Sequence, residues 1–103
     1  MTNLIVSFYC ACRLCCGHSH GITASGSHVE SGVTIAAHRS IPFGSIIVVP
    51  GFGPLIVQDR MSTRFKPNHV DVYVPNHHHA KQLGIKTLPC ELVVHQKSSI
   101  AQR

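Results

Sequence analysis

The sequence predicts an all-β fold, a small barrel or sandwich of six short strands with one short helix. Three observations predict it: short runs rich in Val and Ile, period-2 alternation in the clearest of them, and turns carrying Gly or Pro between them. At 103 residues the chain is long enough for one domain and one core. Its 44% hydrophobic content, with eight Gly and six Pro, argues against disorder and for a globular chain with many turns. The barrel is expected over residues 1–96, followed by a polar tail over 97–103.

Residues 3–9 (N-L-I-V-S-F-Y) are apolar and β-branched and read as the first strand. The stretch 10–31 is dense in Gly, Ser, Cys and His and reads as a long loop. A second short strand follows at 33–37. Ile41-Pro42-Phe43-Gly44 is a turn, because Pro fixes φ and Gly supplies conformations that other residues avoid. Residues 45–49 and 55–58 pair as a hairpin across Pro50-Gly51-Phe52-Gly53-Pro54. In 69–74 the alternation puts Val70, Val72 and Val74 on one face and His69, Asp71 and Tyr73 on the other. Asn76 then caps a helix that Gly84 stops, with Ala80 and Leu83 on the face that packs down. Residues 90–95 form the last strand.

Nine Lys and Arg against four Asp and Glu give a net charge of +5, which favours polyanionic partners. Nucleic acid is disfavoured, since the basic residues are scattered singly and aromatics are only 6%, with no Trp on which bases could stack. No apolar run approaches the roughly 20 residues of a membrane span, so no transmembrane segment is expected. The N-terminus shows no basic region, long apolar segment or small-residue cleavage site, so no signal peptide is expected either. Nine His make the positive charge climb steeply between about pH 7 and 5.

Four of the five Cys lie together as Cys10, Cys12, Cys15 and Cys16, in the pattern C-x-C-x-x-C-C-G, and Cys90 stands alone. A structural zinc site and a local disulfide knot both fit, and reduced Cys packed as small hydrophobes is the third reading. Adjacent Cys15 and Cys16 are awkward joint ligands of one tetrahedral ion, and His18 or His20 could replace one of them.

The acids are few: Glu30, Asp59, Asp71 and Glu91. Asp59 ends the apolar run L-I-V-Q-D, and Arg60 begins a loop that returns to the strand carrying Asp71. A carboxyl seated against Ile and Val loses solvation, so its pKa rises, and a second carboxylate nearby reinforces the shift. The plainer alternatives are a turn aspartate or a salt bridge to Arg60 or Arg64 for Asp59, and a solvated Asp71. Thr23-Ala24-Ser25-Gly26 is a hydroxyl-bearing turn, in itself a common way of bonding a loop to its own backbone. His77, His78 and His79 point about 100° apart on a helix and cannot converge on one ion. His77 is the one taken as a candidate to reach a cleft.

The ordered set Tyr9-Cys10-x-Cys12-x-x-Cys15-Cys16-Gly17, Thr23-Ala24-Ser25-Gly26, Ile35-Ala36-Ala37, Ile41-Pro42-x-Gly44, Val57-x-Asp59, Val70-Asp71-Val72-Tyr73 and Ala80 with Leu83-Gly84 resembles the three-aspartate (3D) domain family. That family is the catalytic portion of certain lytic transglycosylases and stationary-phase muralytic proteins. The resemblance spans about 8–94. It implies a six-stranded double-psi β-barrel and cleavage of the β-1,4 bond between N-acetylmuramic acid and N-acetylglucosamine in peptidoglycan. It also implies that Asp59 is the catalytic acid and Asp71 a supporting carboxylate, with Thr23 and Ser25 shaping the cleft. Two departures stand out. The family's first aspartate is His38 here, and its glycine-rich loop is replaced by Asp59-Arg60-Met61-Ser62-Thr63-Arg64-Phe65-Lys66-Pro67.

On that resemblance, protonated Asp59 donates to the glycosidic oxygen and then takes the proton of the muramic C6 hydroxyl as it attacks, leaving a 1,6-anhydro end. His38, Arg60, Tyr73 and His77 are the expected additional contacts to glycan. The expected partner is the peptidoglycan glycan strand, bound by a monomer that needs no cofactor, apart from a structural zinc at the Cys cluster if one is held. Action at the cell wall or periplasm without a leader suggests a phage-type lysis enzyme, or a trimmed form of a secreted chain. The alternatives are a non-catalytic wall-binding barrel and a Cys/His zinc-stabilised module.

Overall fold

Alternating apolar residues on six strands build one closed barrel around their inward faces. The computed structural model describes residues 1–10 and 21–95. Its elements are β1 (Thr2–Tyr9), β2 (Thr34–Ala37), β3 (Ile46–Val49), β4 (Gly53–Arg60), β5 (His69–Tyr73), α1 (His77–Leu83) and β6 (Lys86–Val93). The strands close in the order β1-β5-β2-β4-β3-β6. Two neighbouring pairs, β1·β5 and β2·β4, are parallel, and the remaining pairs are antiparallel. The all-β barrel of six strands with one short helix is therefore as the sequence predicts.

The core includes Val70, Val72 and Val74, the face that alternation picks out, together with Ala80 of the helix. Leu4, Val6 and Phe8 of β1 meet Val70 and Val72 of β5, Ile47 and Val49 of β3, and Leu55 and Val57 of β4. Each such side chain contributes roughly 1.5–3 kcal/mol by leaving water. Asn76 caps α1 by accepting a hydrogen bond from the His79 amide at 3.0 Å, and Ala80 seals the helix onto the core. Among the described residues no helix is long and apolar enough to cross a membrane.

Two strands differ from expectation, and proline explains both. Pro54 belongs to β4 rather than to the turn before it, and β6 begins at Lys86 rather than near Cys90. Proline in a strand usually signals a break, because it cannot donate to a ladder. Here each proline occupies a stretch with a neighbour on one side only. Pro54 faces Val48 of β3, before β2 begins to pair at Ile56. Pro89 faces Asn3 of β1, before β3 begins to pair at Glu91.

One irregularity matters for the site. Along β2·β4, Ile35 pairs with Val57 but Ala36 pairs with Asp59, so Gln58 is an extra residue on β4. A bulge of this kind re-aims the side chains that follow it. Without it, Asp59 would share the inward face of Leu55 and Val57. With it, Asp59 turns to the outer face. The polar tail over 97–103 lies outside the described residues.

Candidate functional site

Three adjacent strands place the two aspartates at one level. Ala36 of β2 pairs with Asp71 of β5 on one side and with Asp59 of β4 on the other. Partners at one level point to one face, so both carboxyls stand on the same outer wall with only a methyl between them. They line a cleft of about 580 Å³ together with Tyr9, Thr23, Arg60 and Phe65.

Asp59 accepts three hydrogen bonds. Its Oδ2 takes the Tyr9 hydroxyl at 3.0 Å, and its Oδ1 takes the Ala24 and Arg60 amides at 2.9 Å each. The neighbouring arginine thus contributes its backbone, while its guanidinium stacks 3.8 Å from the centre of the Phe43 ring. Among the described residues, Nη1 of Arg60 is buried with no hydrogen-bond partner, and burial lowers that guanidinium's pKa, which the Asp59 charge opposes.

Asp71 is the carboxyl that burial perturbs. Its pKa is pushed up from the ordinary 3.8 to about 6, first by loss of solvent and further by the Asp59 charge, against the lowering effect of a hydrogen bond from Ser7. The sequence reading placed this shift on Asp59 and allowed Asp71 a solvated face. Asp71 is instead the largely buried carboxyl, and its burial is the first cause of its raised pKa. Ser7, which the sequence reading passed over, donates to Asp71 Oδ1 at 2.9 Å and lies 3.0 Å from His69 Nε2.

The Thr23-Ala24-Ser25-Gly26 turn forms one wall. Its shape comes from Thr23, whose amide donates to the Ser27 carbonyl at 2.8 Å and whose hydroxyl lies 2.9 Å from those of Ser25 and Ser27. The Ser25 amide donates to the carbonyl of Gln58 at 3.0 Å, which anchors the turn on the bulge. Thr34 supports the same residue, donating to Gln58 Oε1 at 2.6 Å. Thr23 and Ala24 line the cleft, and Ser25 acts on it through its backbone.

The other expected contacts are dispersed. His38 is engaged locally, its Nδ1 accepting from the Ser40 amide at 3.0 Å, and it does not line the cleft. Tyr73 packs edge-on against Tyr9, with ring centres 5.7 Å apart, and lines a second cavity of about 390 Å³ with Phe52 and His79. His77 Nδ1 lies 3.5 Å from the Sγ of buried Cys10. Cys12, Cys15 and Cys16, with His18 and His20, lie outside the described residues. Among the described residues no group of three or more His, Cys, Asp or Glu could hold a metal ion. Cys90 is a free, fully buried thiol whose pKa burial pushes up.

Small residues account for what was missed. Ala36 carries no chemistry of its own, Ser7 is one of many serines, and Gln58 leaves no glycine to mark a bulge. The one available signal was parity: Ser7 and Tyr9 alternate with Leu4, Val6 and Phe8 and so share the outer face. No protein-family model matches the chain, and comparison with curated proteins finds no significant match.

Proposed function

We propose that the chain cleaves the glycan strand of peptidoglycan, as a lytic transglycosylase acting between N-acetylmuramic acid and N-acetylglucosamine. The observation that carries this reading is the pair of aspartates on one wall of an open cleft, with Asp71 keeping a proton close to neutrality. Two near carboxyls resist ionising together and share a proton as a unit. Asp59 is the acid/base that delivers the proton shared by the pair to the glycosidic oxygen, and Asp71 is the supporting carboxyl. Once protonated, the leaving oxygen departs as positive charge develops on the muramic ring. The carboxylate then accepts the proton of the C6 hydroxyl, whose attack within the same sugar requires no held water. The ordered motifs resembling the 3D family support the substrate class, and the wall or periplasm would be the place of action.

The test is digestion of purified sacculi by the wild type and by Asp59→Asn, with released sugars identified by mass spectrometry. Anhydromuramyl fragments from the wild type alone are expected. Reducing ends would replace transglycosylation by hydrolysis. Retained sacculus binding without release would make the barrel a wall-binding module.

One contact favours a second reading, a zinc-stabilised module. Cys10 Sγ and His77 Nδ1 lie 3.5 Å apart, close to the separation of two ligands on one tetrahedral zinc, given bonds of about 2.3 and 2.0–2.1 Å. Elemental analysis of purified protein decides it. Stoichiometric zinc lost in Cys10→Ser would establish a structural ion, whereas its absence leaves a thiol–imidazole hydrogen bond.

A further inference from the structure

We propose that Ser7 and His69 form a proton relay that charges and discharges Asp71 independently of the mouth of the cleft. The inference rests on reading Asp59 and Asp71 as an acid–base pair. Neither relay residue touches substrate in this scheme, so both are positioning residues acting through Asp71.

The parallel register of β1 and β5 creates the relay. Ser7 pairs with Asp71 and Ile5 with His69, so Ser7, Asp71 and His69 share one face with the serine between the other two. Ser7 Oγ lies 2.9 Å from Asp71 Oδ1, 3.0 Å from His69 Nε2 and 3.3 Å from the Val70 carbonyl. A hydroxyl has one proton to give and can accept at its lone pairs. Its single proton forces a correlation along the chain.

When Asp71 is ionised, Ser7 donates to it, and the serine oxygen accepts from His69, which must carry its proton on Nε2. When Asp71 is protonated, its O–H donates to Ser7, which frees the Ser7 proton for Nε2 in preference to the longer contact with the Val70 carbonyl, and His69 then carries its proton on Nδ1. Transfer links the two states. Asp71 gives its proton to Ser7 as Ser7 gives its own to Nε2, which makes an imidazolium. Loss of the Nδ1 proton to solvent then leaves the Nε2–H form that matches the carboxylate. No proton is left over, and every bond made replaces one broken.

The surroundings suit this exchange. Asp71 faces the Asp59 charge across Ala36, and Tyr9, Arg60 and Arg64 line the same cleft, with the two guanidinium groups stacked on Phe43 and Phe65. His69 packs edge-on against Phe65, with ring centres 4.8 Å apart, and keeps part of its surface in solvent. Burial pushes Asp71 up to about 6 and pushes His69 below its ordinary 6.5, so the two groups approach each other in proton affinity.

Imidazole ¹⁵N NMR of His69 across pH 4–8, in wild type, Ser7→Ala, Ser7→Thr and Asp71→Asn, tests the relay without any glycan. In the wild type, the neutral fraction of the His69 ring should move from Nδ1–H to Nε2–H with an inflection at the midpoint of Asp71. Ser7→Ala should remove that inflection and Ser7→Thr, which restores a hydroxyl, should return it. Asp71→Asn, which has no carboxyl to titrate, should leave the neutral ring in one tautomer throughout. Identical His69 tautomers in wild type, Ser7→Ala and Asp71→Asn would overturn the relay, even in a protein that cleaves glycan. A tautomer switch in a protein that leaves sacculi intact would instead retain the relay and sink the cleavage reading.

Discussion

Asp59 and Asp71 reach one another because both pair with Ala36, one from each neighbouring strand. Neither aspartate occupies this geometry through its own strand alone. Asp59 needs the extra residue at Gln58 to face outward, and Asp71 needs a small side chain between the two carboxyls. The site therefore belongs to the three-strand unit β5-β2-β4 and to the loop that caps it.

Replacing Asp59 by Asn should lower glycan release by about 10²–10⁴-fold, the usual contribution of a positioned acid/base. The Ala24 and Arg60 amides can still bond the amide oxygen, and the Tyr9 hydroxyl can turn to accept from the amide NH2, so the fold should survive. Turnover measured on sacculi beside a circular dichroism melt separates the two effects.

Asp71→Asn should stabilise the protein increasingly as pH rises. The folded state holds the Asp71 proton more tightly than the unfolded chain does, with a pKa of about 6 against 3.8. The wild type therefore loses stability as pH climbs through that interval, and the full cost stands above it. Asn has no such titration. The gap in unfolding free energy between variant and wild type should widen by on the order of 3 kcal/mol between pH 4 and 7, as read from urea titrations.

Ala36→Val should damage both activity and stability. Ala36 is buried between the two carboxyls at the wall of the cleft, and two added methyls there crowd the gap between the acids. Overpacking of this kind costs about 1–3 kcal/mol. Activity should fall further than stability alone explains. An Ala36→Gly control, which frees space, should retain more turnover than Ala36→Val in the same assay.

Gly44→Ala tests the closed end of the barrel. Gly44 has φ +92°, and an added Cβ would meet the His95 ring at 3.3 Å. Its amide donates to Val57 and the adjacent Ser45 hydroxyl accepts the His95 amide at 2.9 Å, so strain here loosens β3, β4 and the end of β6 together. A left-handed alanine alone costs roughly 1–2 kcal/mol, and the melting temperature should drop accordingly.

Much of the barrel was legible because burial imposes a period on the chain. Val70, Val72 and Val74 announce their strand, and Asn76 and Gly84 bracket the helix by backbone chemistry that any helix needs. The pairing partners were not legible. That Ser7 meets Asp71, or that Ala36 separates two acids, depends on which strands become neighbours, and no local pattern encodes this. The bulge was hidden for a related reason: nothing in L-I-V-Q-D marks an extra residue, and an unbroken strand would put Asp59 on the inward face of Leu55 and Val57. Pro89 concealed the start of β6 because its tolerance depends on where β3 ends. His38 illustrates the converse, a residue whose position matches a family motif while its ring bonds to its own loop through Ser40.

The placement of β1 has a consequence for the order in which the molecule assembles. Val6 must find Val70, and Thr2 must find Cys90, so the first strand pairs only with segments far along the chain. Contacts of such separation bear a large loop-closure entropy and form slowly. During synthesis β2, β3 and β4 can assemble while β1 still waits for both neighbours. Ser7 and Tyr9 ride on that waiting strand, so the hydrogen bonds that tune Asp71 and steady Asp59 arrive with barrel closure. An incompletely folded chain therefore has its acids unpaired from their partners, and the candidate site is complete only once the first strand has docked.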